Sequence, residues 1–490
     1  MHFTVSLRIL GILLMIFSSA MLGPLLLALL AEDHTADPFL WALCITFFSG
    51  LVLWLPVKNA RHDLRIRDGF MITSLFWTVL GLFGALPFAL TETLQLTPTE
   101  AVFESISGLT TTGATVITGL DELPQSILIY RQILQWLGGI GIIVVAVAIL
   151  PMLGIGGMQL YKAESPGPSK DTKLTPRITE TAKALATVYV SLTALCALSY
   201  YVAGMSGFDA VAHAFSTVAI GGFSTHDASI GYFQNDAIYW VSSVFMVIAA
   251  INFGLHFTAW RQLTNRGRRK TYFAVYTRDS ETKFFFSILG IVVLVSCAYL
   301  MLSGTLSTRE SIAHGLFQAV SITTTTGFAT QDFANWPTFL PIMLLMASFM
   351  GGCVGSTGGG MKAMRVMLIY KQGVRELKQL VHPNAVIPLK VGRTRVEASV
   401  VSAVWSFFAV YTTCFIIIML LLMATGLDFL TAFSAVAASL NNLGPGLGDV
   451  AANYGGINEI AKGLLCFTML LGRLEVFTLL VLFTPAFWRV

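Results

Sequence analysis

The sequence predicts an all-α polytopic membrane protein: four repeats of membrane helix, pore loop and membrane helix around a central pore, preceded by an N-terminal helical hairpin. The first observation is composition. Of 490 residues, 55% are hydrophobic and only 11% are charged, whereas soluble domains average about 25% charged residues. The second is that about ten apolar runs approach the roughly 20 residues that a helix needs to cross a bilayer. The third is a glycine-containing stretch that recurs four times between these runs.

The recurring stretch is polar, and one glycine aligns in each copy: Gly113, Gly222, Gly327 and Gly444. The glycines stand more than 100 residues apart, which is far longer than a solenoid repeat of about 20 to 50 residues. Polar backbone at membrane depth is tolerated only where it is buried in protein or lines a water-filled path. Four such loops around one axis therefore predict an ion filter.

Backbone carbonyls are the predicted ligands, because the side chains of these loops differ between copies. Carbonyls replace the water of a dehydrated cation at low charge, and glycine reaches the backbone angles that aim successive carbonyls to one side. The predicted cation-binding residues are Thr111, Thr112, Gly113, Ile220, Gly221, Gly222, Thr325, Thr326, Gly327, Asn442, Leu443 and Gly444. The alternative is that the glycines are helix-packing or turn positions.

A short helix is predicted before each loop, because each copy has a serine or threonine followed three residues later by an acid. This spacing is typical of a capping box. The pairs are Thr97 and Glu100, Ser206 and Asp209, Ser307 and Glu310, and Thr425 and Asp428. Such a helix enters the membrane and stops, and its partly negative C-terminal end favours a cation in the central cavity.

The third copy contains a glycine run that should interrupt its second membrane helix, since each glycine costs a helix about 1 kcal/mol. Non-helical backbone at membrane depth predicts a gate below the filter. The predicted gate residues are Gly355, Ser356, Thr357, Gly358, Gly359, Gly360 and Lys362. A static kink is the alternative. A phosphate-binding loop is disfavoured, because its lysine–serine/threonine signature is absent and no strand precedes it.

Arg473 lies within the last apolar run, where a charge is expected to face the protein interior. We predict that it belongs to the gate and repels a cation. The alternative is a structural ion pair with Glu475 or Glu104, and Glu104 itself is expected to brace the first loop. His213 and His314 are interpreted as packed or hydrogen-bonded residues of the short helices.

Two other functional classes find less support. An intramembrane enzyme needs paired catalytic groups, and no such set recurs in the sequence, so we do not expect an enzyme. An alternating-access carrier should have broken helices at matching positions of two halves. Only the third copy is strongly interrupted by glycine, which disfavours the carrier.

Charge placement predicts the topology. Most lysines and arginines lie in segments 58–67, 162–183, 261–283 and 362–395. Positive loops stay cytoplasmic, so both termini are expected there. The predicted divisions are a hairpin at 1–68 and repeats at 69–165, 166–280, 281–380 and 381–490. Six cysteines are spread singly, without redox or metal-ligand spacing.

Together these stretches resemble the TrkH/KtrB/HKT superfamily of potassium translocators, and its TrkH branch most closely, because that branch has an added N-terminal hairpin. The matching motifs cover the chain beyond the hairpin. They are Thr110-Thr111-Thr112-Gly113-Ala114, Leu137-Gly138-Gly139-Ile140-Gly141, Ile220-Gly221-Gly222-Phe223-Ser224-Thr225, Thr325-Thr326-Gly327-Phe328, Gly355-Ser356-Thr357-Gly358-Gly359-Gly360, His382-Pro383-Asn384-Ala385-Val386 and Leu440-Asn441-Asn442-Leu443-Gly444-Pro445-Gly446.

The resemblance implies potassium uptake by a homodimer in the bacterial inner membrane, with K⁺ as the transported ion and no organic cofactor in this chain. It also implies a cytosolic nucleotide-binding ring resembling TrkA, and gating by the Gly355–Lys362 loop and Arg473. In plant relatives, serine at the first filter glycine accompanies sodium preference. Glycine at all four aligned positions therefore favours potassium. Proton- or sodium-coupled symport stays open as the alternative to channel-like flow.

Overall fold

A computed structural model describes residues 3–59, 66–148, 178–264, 272–392 and 394–489. These residues are mostly helical, which confirms the predicted fold class. The longer helices are Phe3–Ser18, Leu22–Ala31, Ala36–Trp54, Ile66–Gly84, Gln125–Ala148, Ile178–Val202, Asp236–Ala249, Phe253–Thr264, Ser280–Leu302, Phe339–Ser348, Ala363–Val381, Ala398–Ala424 and Glu459–Arg473. Shorter helices are Leu86–Leu90, Tyr272–Arg278, Phe477–Leu480 and Pro485–Trp488. Single 3₁₀ turns are Ser19–Met21, Leu55–Val57, Glu92–Leu94, Leu120–Glu122, Ser229–Phe233, Phe333–Asn335, Gly448–Val450 and Val481–Phe483.

By length and composition, six of the described helices are able to cross a membrane, or up to eight if each of two bent pairs is one span. The expected count of about ten stays a prediction. The boundary expected between the first two repeats, at 165 and 166, lies outside the described residues. One small feature was not predicted: strands Lys390–Val391 and Thr394–Arg395 pair antiparallel.

The N-terminal hairpin closes through two facing glycines. A Cβ atom on Gly11 would lie 2.7 Å from the carbonyl oxygen of Gly50, and one on Gly50 would lie 2.7 Å from that of Gly11. Small residues let helix backbones approach closely, which is how membrane helices pack without a hydrophobic driving force between them.

Four short helices precede the glycine loops: Pro98–Leu109, Gly207–Ala219, Thr308–Thr323 and Phe429–Leu440. We number them one to four. In the last two turns of each, nearly every residue is buried. Each short helix therefore ends inside the protein, as expected of a helix that enters the membrane and stops.

The caps of these helices follow the prediction fully in copies one and three and in part in copy two. Thr97 and Ser307 form complete capping boxes, and Ser206 accepts a hydrogen bond from the Asp209 amide. The fourth prediction was wrong. Asp428 itself is the N-cap and accepts from the amides of Leu430 and Thr431. The Thr425 hydroxyl instead donates to the Leu422 carbonyl at the end of the preceding helix.

The second long helix of each repeat returns from the glycine loop, and three of the four return helices are broken. The first is continuous over its described residues, Gln125–Ala148. The second bends by 97° between Ala249 and Phe253, and the fourth by 109° between Arg473 and Phe477. The third is interrupted between Ser348 and Ala363. The expectation of a break in the third copy only was therefore wrong.

The two unexpected breaks each lie beside a single glycine, Gly254 or Gly472, rather than in a run of glycines. In the second copy, the Phe253 amide donates to the Gly355 carbonyl, and Asn252 Oδ1 accepts from the Gly254 amide. In the fourth copy, Glu475 and Val476 both adopt positive φ, at 53° and 58°. A single glycine costs a helix only about 1 kcal/mol, so the sequence alone did not predict these two breaks.

Candidate functional site

The four glycine loops share one backbone conformation. We call residues 110–115, 219–224, 324–329 and 441–446 loops one to four. Two residues before each aligned glycine, φ is positive in a non-glycine residue: Thr111 at 55°, Ile220 at 55°, Thr325 at 66° and Asn442 at 52°. The φ angle is also positive at the aligned glycines, with values of 81° at Gly113, 82° at Gly222, 85° at Gly327 and 98° at Gly444. Four matching patterns exclude unrelated turns.

Each short helix ends with the same pair of hydrogen bonds. The amide of the left-handed residue donates to the carbonyl three residues back, and the next amide donates to the carbonyl five residues back. This is the Schellman end of a helix. The longer bonds run from Thr112 to Ser107, Gly221 to Ser216, Thr326 to Ser321 and Leu443 to Ala438, at 2.9, 2.9, 2.8 and 2.7 Å.

The loops form a closed ring, because each aligned glycine faces a carbonyl of the next loop. A Cβ atom on Gly113 would lie 2.1 Å from the Gly221 oxygen, and one on Gly222 would lie 2.1 Å from the Thr326 oxygen. In the same way, a Cβ atom on Gly327 would lie 2.1 Å from the Leu443 oxygen, and one on Gly444 would lie 2.6 Å from the Thr112 oxygen. A side chain at any of these four positions therefore requires the backbone of the neighbouring loop to shift. The sequence-predicted residues are thus brought together around one axis.

Two loops are held by side chains that sequence reasoning missed. Gln135 Nε2 donates to the Gly221 carbonyl at 2.6 Å, while its Oε1 accepts from Ser216 Oγ and the Phe223 amide at 2.7 and 3.2 Å. The Tyr454 hydroxyl donates to the Gly444 carbonyl at 2.7 Å. A carbonyl oxygen has two lone pairs, so these two keep one free for a cation.

The side chain of Asn442 joins loop four to loop one. Its Nδ2 donates to Thr112 Oγ1 and to the Met469 carbonyl, both at 3.0 Å. Loop four therefore closes the ring by a side-chain contact as well as by backbone packing. The sequence-based prediction considered only the backbone carbonyl of Asn442, as a ligand for a cation.

Residues 349–362, which we call segment 349–362, run against the ends of the short helices and loops. The Gly359 amide donates to Thr325 Oγ1 at 2.7 Å, and the Gly360 amide donates to the Asn441 carbonyl at 3.0 Å. Thr357 Oγ1 donates to the Val218 carbonyl at 2.9 Å. The predicted gate residues therefore contact elements of repeats two, three and four.

Backbone conformation and space both require glycine in this segment. Gly355 and Gly360 have φ of 75° and 72°. A Cβ atom on Gly359 would lie 2.0 Å from the Asn441 oxygen. Lys362, with φ of 76°, ends the segment and donates from Nζ to the Gly358 carbonyl.

Glu281 fastens both ends of the segment, and sequence reasoning missed it. Its Oε1 accepts from the amides of Val354 and Met364 at 2.8 and 3.1 Å, and the residue is 2% exposed. An acid at the start of a long apolar helix is an ordinary first-turn residue by sequence. Only the fold reveals its partners.

Arg473 stands at the break of the last return helix, buried to 4% exposure. Its two terminal nitrogens donate to the carbonyls of Thr357 and Gly138, each at 3.1 Å. Its guanidinium carbon lies 5.4 Å from the centre of the Trp77 ring. Arg473 thus links segment 349–362 to the return helix of repeat one.

Neither alternative ion pair for Arg473 is present. Glu475 pairs with Arg365 at 2.5 Å, and Glu104 pairs with Arg131 at 2.8 Å. Glu104 does brace loop one, as expected, because its Oε2 accepts from the Val116 amide at 3.0 Å. Both carboxylates were considered as partners of Arg473 from the sequence, but in the fold they pair with Arg365 and Arg131 instead.

The two histidines are hydrogen-bonded, as interpreted. His213 contacts the Asp209 carbonyl and Ser224 Oγ, both at 2.9 Å, and His314 contacts Thr330 Oγ1 at 2.9 Å. Among the residues that the structure describes, no group of three or more histidine, cysteine, aspartate or glutamate side chains is arranged to hold a metal ion.

Known proteins with similar sequences support this architecture. The family model of TrkH, a cation transport protein, matches residues 37–490. Potassium uptake protein TrkH of the Trk system from Halomonas elongata is 56% identical over 99% of this chain and 98% of its own length. Its counterpart from Vibrio parahaemolyticus is 55% identical, with both chains covered completely.

A known crystal structure also has this fold. The crystal structure of the potassium transporter TrkH from Vibrio parahaemolyticus superposes with a TM-score of 0.92 at 52% identity, covering all of both chains. The repeats, the ring of loops and these full-length similarities lead to one conclusion: the chain belongs to the TrkH family of cation transport proteins.

Proposed function

We propose that the protein takes up potassium across the bacterial inner membrane through a filter made by loops one to four. The observation that carries the proposal is the closed ring of left-handed loops. Backbone that alternates into positive φ directs successive carbonyls to one side, where they replace the water of a dehydrated cation. The relatives named above are potassium uptake proteins, which supports potassium as the cation.

Segment 349–362 is the proposed gate. It carries the backbone of repeat three against loops three and four. Arg473 fixes it through the Thr357 carbonyl and places a positive charge beside the path. Breaking these contacts moves the segment away and removes the barrier.

The first test of the gate is Arg473→Ala. At an effective dielectric constant of about 20, a unit positive charge raises the energy of a cation roughly 8 Å away by roughly 2 kcal/mol. We therefore expect potassium flux into liposomes to rise at least about tenfold. Arg309→Gln is the control, because its side chain is 85% exposed and pairs with Asp236 at the surface. Unchanged flux in well-folded Arg473→Ala protein reduces Arg473 to a structural role.

Regulation is proposed to come from a cytosolic nucleotide-binding ring resembling TrkA, acting on a homodimer with cytoplasmic termini. The supporting feature is helix Ala363–Val381, which follows segment 349–362 directly. Its last turns expose Leu377 and Leu380 at 66% and 78%. A partner bound to this end would pull on the segment through a continuous helix.

Coupling to protons or sodium is the second candidate mechanism. The observation that favours it is two buried ionisable residues: Glu281, which binds the segment, and Lys362, which ends it, at 2% and 7% exposure. Potassium uptake measured with and without an imposed proton or sodium gradient decides between coupled and passive flow.

The deciding experiment compares potassium, rubidium, sodium and lithium flux into liposomes, with Gly113→Ser beside the parent. The added side chain meets the Gly221 carbonyl, so we expect the preference for potassium to weaken. Gly290→Ser is the matched control, because nothing lies within 4 Å of a Cβ atom there. If the parent protein gives no potassium-selective flux even with its cytosolic partner and nucleotide, the proposal is wrong.

A further inference from the structure

The geometry points to Arg131 as a positioning residue: we propose that it fixes the ends of loops one and two and thereby sets which monovalent cation passes. The inference rests on the proposed function. Arg131 lies on the return helix Gln125–Ala148, and its side chain is 1% exposed. A fully buried arginine requires partners for its whole guanidinium group.

Each guanidinium nitrogen of Arg131 has a different partner. Nε donates to Glu104 Oε1 at 2.8 Å, Nη1 to the Ser224 carbonyl at 3.0 Å and Nη2 to Thr115 Oγ1 at 3.1 Å. The guanidinium carbon also lies 4.2 Å from the centre of the Phe223 ring. One planar group therefore joins short helix one to the ends of loops one and two.

The four repeats differ at the positions that these contacts use. Nine residues before the aligned glycine the residues are Glu104, His213, Gln318 and Ala435, all buried. Two residues after it they are Thr115, Ser224, Ala329 and Gly446. Glu104 accepts from Thr115 Oγ1 at 3.0 Å, and His213 contacts Ser224 Oγ at 2.9 Å. Repeats three and four have no hydroxyl at the second position.

Repeats three and four hold their loop ends by neutral hydroxyl groups. Ser321 Oγ donates to the Phe328 carbonyl at 2.7 Å, and Ser434 Oγ donates to the Leu447 carbonyl at 3.0 Å. Neither side-chain polar atom of Gln318 has a hydrogen-bond partner within the described ranges. The ionised brace is thus confined to loops one and two.

This asymmetry indicates a geometric use for the buried ion pair. A buried pair adds little net stability compared with apolar residues of similar volume, but removing one partner is costly. The fork of arginine fixes directions that the point charge of lysine does not. Arg131 therefore sets the separation of two loop ends, and the width and field of the carbonyl ring follow from that separation.

The test is Arg131→Lys, which keeps the charge beside Glu104 but cannot reach Thr115, Ser224 and Glu104 together. Potassium and sodium flux into liposomes are measured for protein that elutes as one species. We expect the potassium-to-sodium flux ratio to fall about tenfold, the effect of one lost charge-assisted hydrogen bond. Lys462→Met is the matched control. It removes a partly buried ion pair, Lys462 to Glu100 at 2.6 Å, that joins a short helix to a return helix away from the loop ends.

A lowered ratio in Arg131→Lys with a parental ratio in Lys462→Met supports the brace. A parental ratio in both variants, or an equal fall in both, overturns it. If Arg131→Lys does not fold, Glu104→Gln decides by the same ratio, because it keeps an oxygen for the Val116 amide but loses the charge. Parental selectivity in Glu104→Gln then overturns the brace. A parent protein without potassium selectivity overturns the proposed function instead.

Discussion

At the scale of the residue, strain is concentrated where the short helices end. Three of the four non-glycine residues with positive φ at these ends are β-branched: Thr111, Ile220 and Thr325. A left-handed conformation costs such a residue roughly 1–2 kcal/mol. The Schellman hydrogen bonds and Gln135 hold this backbone in place. Strain that surrounding contacts maintain is a feature of functional sites.

A second residue, His226, joins the segments that follow loops one and two. Its Nδ1 lies 2.5 Å from Asp121 Oδ1 and its Nε2 lies 3.5 Å from Asp209 Oδ1. Its ring stacks on Tyr232 at 3.5 Å and lies 6.5 Å from the ring of His213. Burial alone would lower the pKa of His226, but hydrogen bonds and charge from Asp209 and Asp121 outweigh burial and raise it.

The raised pKa of His226 gives a signed prediction for stability. Stabilisation by a group whose pKa is higher in the folded state is complete below its unfolded pKa of about 6.5 and is lost as pH rises through the folded value. We expect the unfolding temperature of the parent to exceed that of His226→Gln at pH 5.5 and to converge on it at alkaline pH. A constant difference between the two proteins across that range would contradict the assignment. Thermal melts in detergent at each pH measure the two unfolding temperatures.

At the scale of the element, segment 349–362 is a helix interruption with its own fastenings. Its glycines were recognisable in sequence because several occur together. Its partner Glu281 could not be recognised from the sequence, and neither could the helix breaks near Ala250 and Glu475. A single polar residue in an apolar run has no periodicity to interpret, so its partner is defined only by packing. The same holds for Gln135 and Arg131.

Glu281→Ala tests the fastening of this segment. Without the carboxylate, the amides of Val354 and Met364 lose their acceptor, and each unsatisfied buried amide costs about 1–3 kcal/mol. We expect a lower unfolding temperature together with higher basal potassium flux. Glu281→Gln retains an acceptor oxygen and should preserve both values better. Equal flux in the parent and Glu281→Ala would separate Glu281 from the gate.

At the scale of the whole molecule, the repeat and its central ring were predictable because glycine marks each copy. The predicted residues do converge, and the predicted all-helical architecture is confirmed. The sequence did not reveal that the four quadrants are supported differently, since that depends on which side chains reach across repeats. Loops one and two share a buried arginine, whereas loop four reaches loop one through Asn442.

Because the ring joins all four repeats, a bound cation should stabilise the whole protein. A ligand at 100 times its dissociation constant adds about 2.7 kcal/mol to the free energy of unfolding. We expect potassium and rubidium to raise the unfolding temperature in detergent, and lithium at equal ionic strength to raise it less. Gly113→Ser should reduce the difference between potassium and lithium. Identical melting curves in all three salts would argue against a cation in the ring.

The ring described above is encoded once, in a single polypeptide, and its four quadrants are separate stretches of one gene. In an assembly of four identical subunits, any codon change alters the ring in quadruplicate. Here a codon change alters one quadrant and leaves the other three loops of the ring unchanged. If the ring is the proposed filter, we expect a change in one quadrant to alter ion selectivity by a smaller step than the same change made in all four.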